Sequence, residues 1–379
     1  MSRKISFIFF LICISSAVSG QSYQLKAGRL TILFIGDIMG HDEQIWSAEN
    51  RETHTYNYDE IFSYISPEIL EADISIANFE VTLAGPPYKG YPQFSSPPEL
   101  AVACQNSGID YLVTANNHSA DGGKKGIEST INRLDSIGIP HTGTFLNSYN
   151  KDTLNPLIIN KNDISIALLN YTYGTNGIKV PEPVIVNLID KNQVTTDIEK
   201  AKSKNPDFII LFLHWGTEYD TVPSKSQEDL AGYFFSKGVD LIIGSHPHVL
   251  QKMVWIKKTD SNKDALTIYS LGNFVSNQRK PKTDGGSMVR VELTRDDNGN
   301  IQIKNAGYYL TWVYTPIESY RKKFFILPCS RYENRPEFFD TPDAYDKMKK
   351  FIRDSRALLY KQNVNINENI YSGNEWLLN

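Results

Sequence analysis

Apolar residues along this chain fall into short, nearly unbroken runs, each followed by a cluster of polar side chains. Leu30 to Ile35, Asp73 to Ala77, Tyr111 to Thr114, Ile164 to Asn170, Phe208 to Leu213, Leu241 to Ile243 and Leu266 to Tyr269 are too short for helices. They are also too continuously apolar for strands with one wet face, so they read as strands buried on both sides. Between them the period lengthens. Residues 58–71 (broken at Pro67), 99–107, 124–137, 193–203 and the segment after Ser224 read as helices. Gly138 stands where a C-terminal glycine ends a helix, and Ser224 with Gln227 forms a capping box. Gly244 directly follows the run Leu241 to Ile243 and predicts a sharp backbone turn there. The stretch Gly85 to Pro98, rich in Pro, Gly, Tyr and Ser, is a long loop. From Ser287 the pattern alternates: Val289, Val291 and Leu293, then Ile301 and Ile303, flank Asn298-Gly299, which predicts a hairpin with a primed turn. Residues 341–361 read as a final helix.

Strands alternating with helices point to an α/β protein. The 379 residues, 41% hydrophobic and 22% charged, suit one large domain plus an extension. We place the domain at 28–315 and a helical C-terminal extension at 316–379. Before them, Arg3 and Lys4 precede the apolar run Ile5 to Ile14 and then small residues to Gly20. Residues 1–20 therefore read as a secretory signal peptide, placing the protein in the periplasm or outside the cell; an uncleaved segment would leave it membrane-associated. The net charge of −4 and the lack of any basic run longer than three residues exclude a nucleic-acid partner as the expectation. Cys104 and Cys329 either pair in the oxidising compartment or sit as two separate buried thiols.

The polar clusters carry the chemistry. Asp37/His41, Asn78/Glu80, Asn117/His118/Asp121, His214/Glu218 and His246/His248 each follow a predicted strand. Of the seven histidines, all but His54 and His141 lie in these clusters. Loops beyond the C-terminal ends of strands gather at one edge of an α/β sheet, where ligands bind. Asp, Glu, Asn and His supply O and N ligands without thiolate, a set suited to Mn, Fe or Zn and not to a structural cysteine–zinc site. The donors suffice for two divalent metal ions, with Glu80 able to bridge them.

Several motifs resemble one family. Gly36-Asp37-Ile38-Met39-x-His41, Asn78-Phe79-Glu80, Asn116-Asn117-His118-x-x-Asp121, His214-Trp215-Gly216-x-Glu218-Tyr219, Gly244-x-His246-Pro247-His248 and Tyr269-Ser270-Leu271-Gly272-Asn273-Phe274 look like the bacterial CapA family. These are poly-γ-glutamate capsule biosynthesis proteins related to calcineurin-like metallophosphoesterases. The resemblance covers roughly residues 30–280. It implies a four-layer α/β/β/α sandwich of two mixed sheets. It also implies that Asp37, His41, Glu80 and His248 hold one metal, while Glu80, Asn117, His214 and His246 hold the other. His118 then resembles the histidine that stabilises the transition state or protonates the leaving oxygen; the alternative is a hydrogen-bonded supporting group. Two departures stand out: His41 follows Asp37 by four residues where the superfamily uses two, and Glu80 replaces an Asp.

Asp121 either orients His118 or starts the following helix, and the helix start is the favoured reading because Asp is a preferred cap. Glu218 meets a substrate amine or a loop cation, and Asn273 serves substrate binding or a turn. Trp215 reads as packing. These residues and the resemblance suggest a metal-dependent hydrolase or transferase acting on an anionic polymer or phosphoester, with a capsule-synthesis membrane complex as the expected partner. The alternatives are a non-catalytic assembly or export component that keeps the site for binding, and a periplasmic phosphoesterase of small phosphoesters.

Overall fold

The computed structural model describes residues 28–257, 264–373 and 375–378; the signal peptide expected at 1–20 lies outside them. Two mixed sheets pack face to face. The first has nine strands. Its main path runs Phe325–Pro328, Ile301–Tyr314, Gly285–Arg295, Arg29–Ile38, Ile74–Phe79, Tyr111–Val113 and His141–Thr142, with Asn273–Val275 beside Arg29–Ile38 and Asn367–Glu368 beside Ile301–Tyr314. The second has six, in the order Met253–Ile256, Ala265–Ile268, Leu241–Ser245, Phe208–His214, Ile164–Thr172, Leu157–Lys161.

Alternation along each apolar run explains the layering. Leu30, Ile32 and Phe34 of the first sheet meet Ile166, Leu168, Phe208, Ile210, Phe212 and Ile243 of the second in one buried cluster. The intervening Leu33 and Ile35 face the other way, onto Ile61, Phe62, Ile65, Ile69 and Leu100 of the helices on that side. Ala167, Leu169, Ile209, Leu211 and Leu213 likewise cover Val194, Ile198 and Ala201 of helix Lys191–Ser203 and Phe234 of helix Lys225–Ser236. The result is helix, sheet, sheet, helix. Each such fully buried side chain stabilises the fold by ~1.5–3 kcal/mol.

The predicted helices form as Asp59–Phe62 and Ser66–Leu70, Glu99–Asn106, Gly123–Ile137, Lys191–Ser203 and Lys225–Ser236, and the last opens on the Ser224–Gln227 capping box. Helix Pro342–Gln362 packs Met348, Phe351, Ile352 and Leu359 into the inter-sheet core. Residues after 315 also contribute strand Phe325–Pro328, which pairs with Ile301–Tyr314. Among the described residues no helix is long and apolar enough to cross a membrane.

Three local expectations change. Asn298-Gly299 makes no two-residue primed turn: only Gly299 has positive φ, and the loop is organised by the Asp296 carboxylate, which accepts the N–H groups of Asn298 and Asn300 at 2.9 and 2.8 Å. Gly244 does not turn the chain. It lies within strand Leu241–Ser245, where a Cβ would meet the Tyr269 carbonyl oxygen at 2.1 Å and Trp215 Nε1 at 2.5 Å. Cys104 and Cys329 are free and buried in different core clusters, which excludes their pairing.

Candidate metal centre

Strand register brings the first four polar groups together. In the first sheet Asp37 is opposite Asn78. In the second, His214 is opposite Ser245. The two pairs meet where the C-terminal ends of the sheets converge: Asn78 Nδ2 lies 2.8 Å from Asp37 Oδ1 and 2.7 Å from Ser245 Oγ. Ser245 Oγ in turn donates to Asp37 Oδ1. Ser245 is absent from the sequence-derived clusters, and Asn78, though part of the Asn78/Glu80 cluster, has no role assigned to it there. The available signal was that each is a polar residue at the buried end of an apolar strand.

Glu80, just beyond strand Ile74–Phe79, occupies the middle. Its Oε1 lies 3.5 Å from His214 Nε2 and 3.8 Å from His248 Nε2. His248 Nδ1 is 3.1 Å from both Asp37 Oδ2 and Asn273 Oδ1, so its other nitrogen is the one turned to Glu80. Asn117 Oδ1 is 2.8 Å from His214 Nε2. The His246 ring stands 4.8 Å from that of His214 and 4.6 Å from that of Tyr173, on a backbone with φ of 101°. Non-glycine residues reach such φ values only when their surroundings enforce them, and such strain gathers at functional sites.

Donor atoms of Glu80, His246 and His248 lie within 4.8 Å of one another, and so do those of Asp37, Glu80 and His214. Glu80 is common to both groups. His246 groups with His248 and Asp37 with His214, while Asp37 also lies 3.1 Å from His248 and Asn117 2.8 Å from His214. His41 enters neither group. Its Nδ1 receives the Asn277 backbone N–H at 3.2 Å and lies 3.2 Å from Gln44 Oε1.

His118 and Asp121 form a buried pair, Nδ1 to Oδ2, at 2.8 Å. The same carboxylate oxygen accepts the Phe94 N–H at 2.7 Å, and the Phe94 ring packs edge-on against His118 at 4.6 Å. The N-cap of helix Gly123–Ile137 is Gly122, so the favoured helix-start role for the Asp121 side chain is replaced by one of orienting His118. Asn273 is buried and donates to Gln278 Oε1 and the Thr283 carbonyl while facing His248. Glu218 is exposed at the rim. Trp215 is packing: its Nε1–H donates to the Tyr269 carbonyl and its ring stacks on Tyr269.

The model of the family described as bacterial capsule synthesis protein PGA_cap matches residues 31–278. The chain belongs to this family. Among its relatives, the capsule biosynthesis protein CapA of Bacillus anthracis is 32% identical over 282 residues, covering 72% of this chain and 65% of that protein. The PGA biosynthesis protein CapA of Bacillus subtilis (strain 168) is 27% identical over 292 residues, 72% of this chain and 70% of that one. Solved structures with similar folds include the NAD nucleotidase NadN of Haemophilus influenzae, with TM-score 0.48, 13% identity and coverage of 91% of this chain and 65% of that one. The calcineurin-like phosphoesterase YfkN of Bacillus subtilis gives TM-score 0.44 and 14% identity, with coverage of 86% and 98%.

In this PGA_cap chain the electrostatics prepare the centre for cations. Burial, then the neighbouring charges of Asp37 and Glu218, push the Glu80 carboxyl well above its ordinary range. Burial alone would raise Asp37 too, but the His248 hydrogen bond and charge, with Ser245 and Asn78, outweigh it and hold Asp37 low. Burial and the other imidazoles push His214 well below the usual histidine range and His246 down to about 3. These histidines are thus neutral, the form in which imidazole binds metal. Glu80 Oε1 and His246 Nδ1 are buried without a hydrogen-bond partner. Such orphaned atoms are costly alone and are satisfied by a cation, so the donor set fits divalent metal.

Proposed function

We propose that this PGA_cap protein is a metal-dependent hydrolase or transferase of capsular or cell-surface polymer metabolism, delivered across the membrane by residues 1–20. The observation that carries the reading is the buried, unpartnered Glu80 oxygen ringed by His214, His246 and His248. Asp37, Glu80, Asn117, His214, His246 and His248 would hold two divalent ions, Mn, Fe or Zn. Such ions supply Lewis acidity and water activation near neutral pH.

The remaining groups position and move protons. Asp121 holds the His118 ring by Nδ1, which leaves Nε2 to give a proton to a leaving oxygen. Asn273 and Asp37 fix His248, and Asn78 with Ser245 fixes Asp37. The substrate is an anionic polymer or a phosphoester centre within it.

The first experiment is metal content by elemental mass spectrometry, wild type beside His246→Ala/His248→Ala, followed by turnover of γ-glutamyl polymers and small phosphoesters. About two ions per chain, lost in the variant together with turnover, support the reading; unchanged turnover in the variant refutes it. A second reading, a binding component of an assembly or export complex, draws on His41 lying outside both donor groups. It is favoured if His118→Ala retains biological activity while the metal-site variant loses it. Turnover of small phosphoesters without polymer would instead indicate a phosphoesterase.

A further inference from the structure

The segment after strand Ile164–Thr172 is rich in glycine and asparagine, the residues that take up left-handed backbone most readily. Asn176 and Gly177 do so, with φ of 50° and 75°, and residues 173–178 fold into a tight loop. Thr175 Oγ1 closes it by donating to the Ile178 carbonyl at 2.6 Å, and the Ile178 N–H returns a bond to the Thr175 carbonyl at 2.8 Å. Ile178 and Val180 then pack against Ala115, Ala120 and Ile127, which flank and follow the pair Asn117–His118. At the other end the Tyr173 N–H donates to the His214 carbonyl at 2.9 Å. The loop therefore ties the Asn117 segment of the first sheet to the His214 strand of the second.

Its side chains face the candidate ligands. The Tyr173 ring lies 4.6 Å from that of His246 and 6.4 Å from that of His214, nearly parallel to the latter. Asn176 Oδ1 accepts from Asn117 Nδ2 at 3.3 Å and from the Tyr173 hydroxyl at 3.5 Å. Two donors meeting at that oxygen fix which end of the Asn176 amide is turned inward. The consequence falls on Asn117, which is 1% exposed and whose Oδ1 lies 2.8 Å from His214 Nε2. An asparagine amide has one end that binds a cation and one that does not, and the two ends have the same shape. With Nδ2 claimed by Asn176, the oxygen is the end left beside His214. Turning the Asn117 amide over would aim its NH₂ at the centre and set two oxygens against each other at Asn176.

We propose that Asn176 is a positioning residue of the metal centre: it locks the Asn117 amide with its oxygen towards the ion that Asn117 and His214 would share. This role rests on the reading of that centre as a metal site. Asn176 is itself exposed and acts through Asn117.

Calorimetric titration of the full, metal-stripped chain with Mn²⁺ or Zn²⁺ tests this. Asn176→Gly removes the acceptor and suits the positive φ, so the loop keeps its path. Wild type is expected to bind about two ions. Asn176→Gly is expected to bind one of them roughly ten- to a hundredfold more weakly, the usual effect of losing a group that orients a ligand. Asn176→Asp, which offers the same acceptor, is expected to hold both. Asn117→Ala separates positioning from a general loosening of the loop: it and Asn117→Ala/Asn176→Gly should bind metal equally. Wild-type affinity in Asn176→Gly overturns the proposal, as does an Asn176→Gly effect that persists undiminished beside Asn117→Ala. Two ions held equally by wild type and Asn176→Gly leave the metal reading standing and remove Asn176 from it; no ion in wild type overturns both.

Discussion

Glu80→Gln is expected to make the metal-free protein more stable and the metal-loaded protein less stable than wild type. The Glu80 side chain is fully buried, and its Oε1 accepts no hydrogen bond. A buried unsatisfied acceptor costs about 1–3 kcal/mol. Its carboxyl is further disfavoured as an anion by burial and by Asp37. Glutamine keeps the volume and the buried acceptor but carries no charge, so in chelator, above the ordinary glutamate range, the variant should gain on the order of 1 kcal/mol from the ionisation it no longer undergoes. Metal reverses the order. At a free metal concentration of about one hundred times the dissociation constant, wild type gains about 2.7 kcal/mol. The neutral amide is a poor ligand, so the variant gains little.

Urea unfolding followed by tryptophan fluorescence, in chelator and in Mn²⁺ or Zn²⁺, measures both differences. The pH dependence supplies a second check. The folded state holds the Glu80 proton more tightly than the unfolded chain does. In chelator, wild-type stability should therefore fall as pH rises above the ordinary glutamate range, and the variant should lack that slope. Equal or lower stability of the variant in chelator, or an equal gain on adding metal, would refute the reasoning.

Three further outcomes are expected. Burial raises the Glu68 carboxyl to about 7 despite Arg331 at 2.9 Å, so wild-type stability should fall between pH 4.5 and 7, by at most about 3 kcal/mol, and Glu68→Gln should remove that slope; parallel stability profiles would count against it. Asp121→Asn should retain metal but lower turnover by roughly a hundredfold, the scale of general acid–base assistance, with steady-state kinetics and metal analysis as the readouts. Gly244→Ala should cost about 2–4 kcal/mol in urea unfolding and reduce metal occupancy, since its Cβ collides with the Tyr269 carbonyl and Trp215 Nε1, and their hydrogen bond goes with it.

How much of this was legible depended on whether a feature is local. The run Phe208 to Leu213 announced a strand buried on both faces, and the structure buries alternate residues against the first sheet and the helices. Polar residues at strand ends announced a site for the same reason, because parallel strands carry their C-terminal ends to one edge. Features that depend on a distant neighbour were hidden. Gly244 looks like a turn residue until the Tyr269 carbonyl is placed beside it. Asp121 looks like a cap until the Phe94 N–H, 27 residues away, claims its oxygen. The Asn298-Gly299 pair was overruled by Asp296, whose carboxylate organises a longer loop.

Asn78 and Ser245 show why the centre itself is a property of register more than of motif. They are 167 residues apart, on different sheets, and meet at 2.7 Å. Each arrives there through its own pairing, Asn78 opposite Asp37 and Ser245 opposite His214. A one-residue slip in either sheet would turn the polar end of that strand to the opposite face and put an apolar side chain in its place. The alternating apolar residues Leu33 and Phe34, or Phe212 and Leu213, therefore do more than stabilise the layers. By forbidding the slip they hold Asp37, Asn78, His214 and Ser245 at contact distance before any ion arrives. A candidate centre assembled this way pays its ordering cost during folding, which is why the donor atoms within each of its two groups already lie within 4.8 Å of one another.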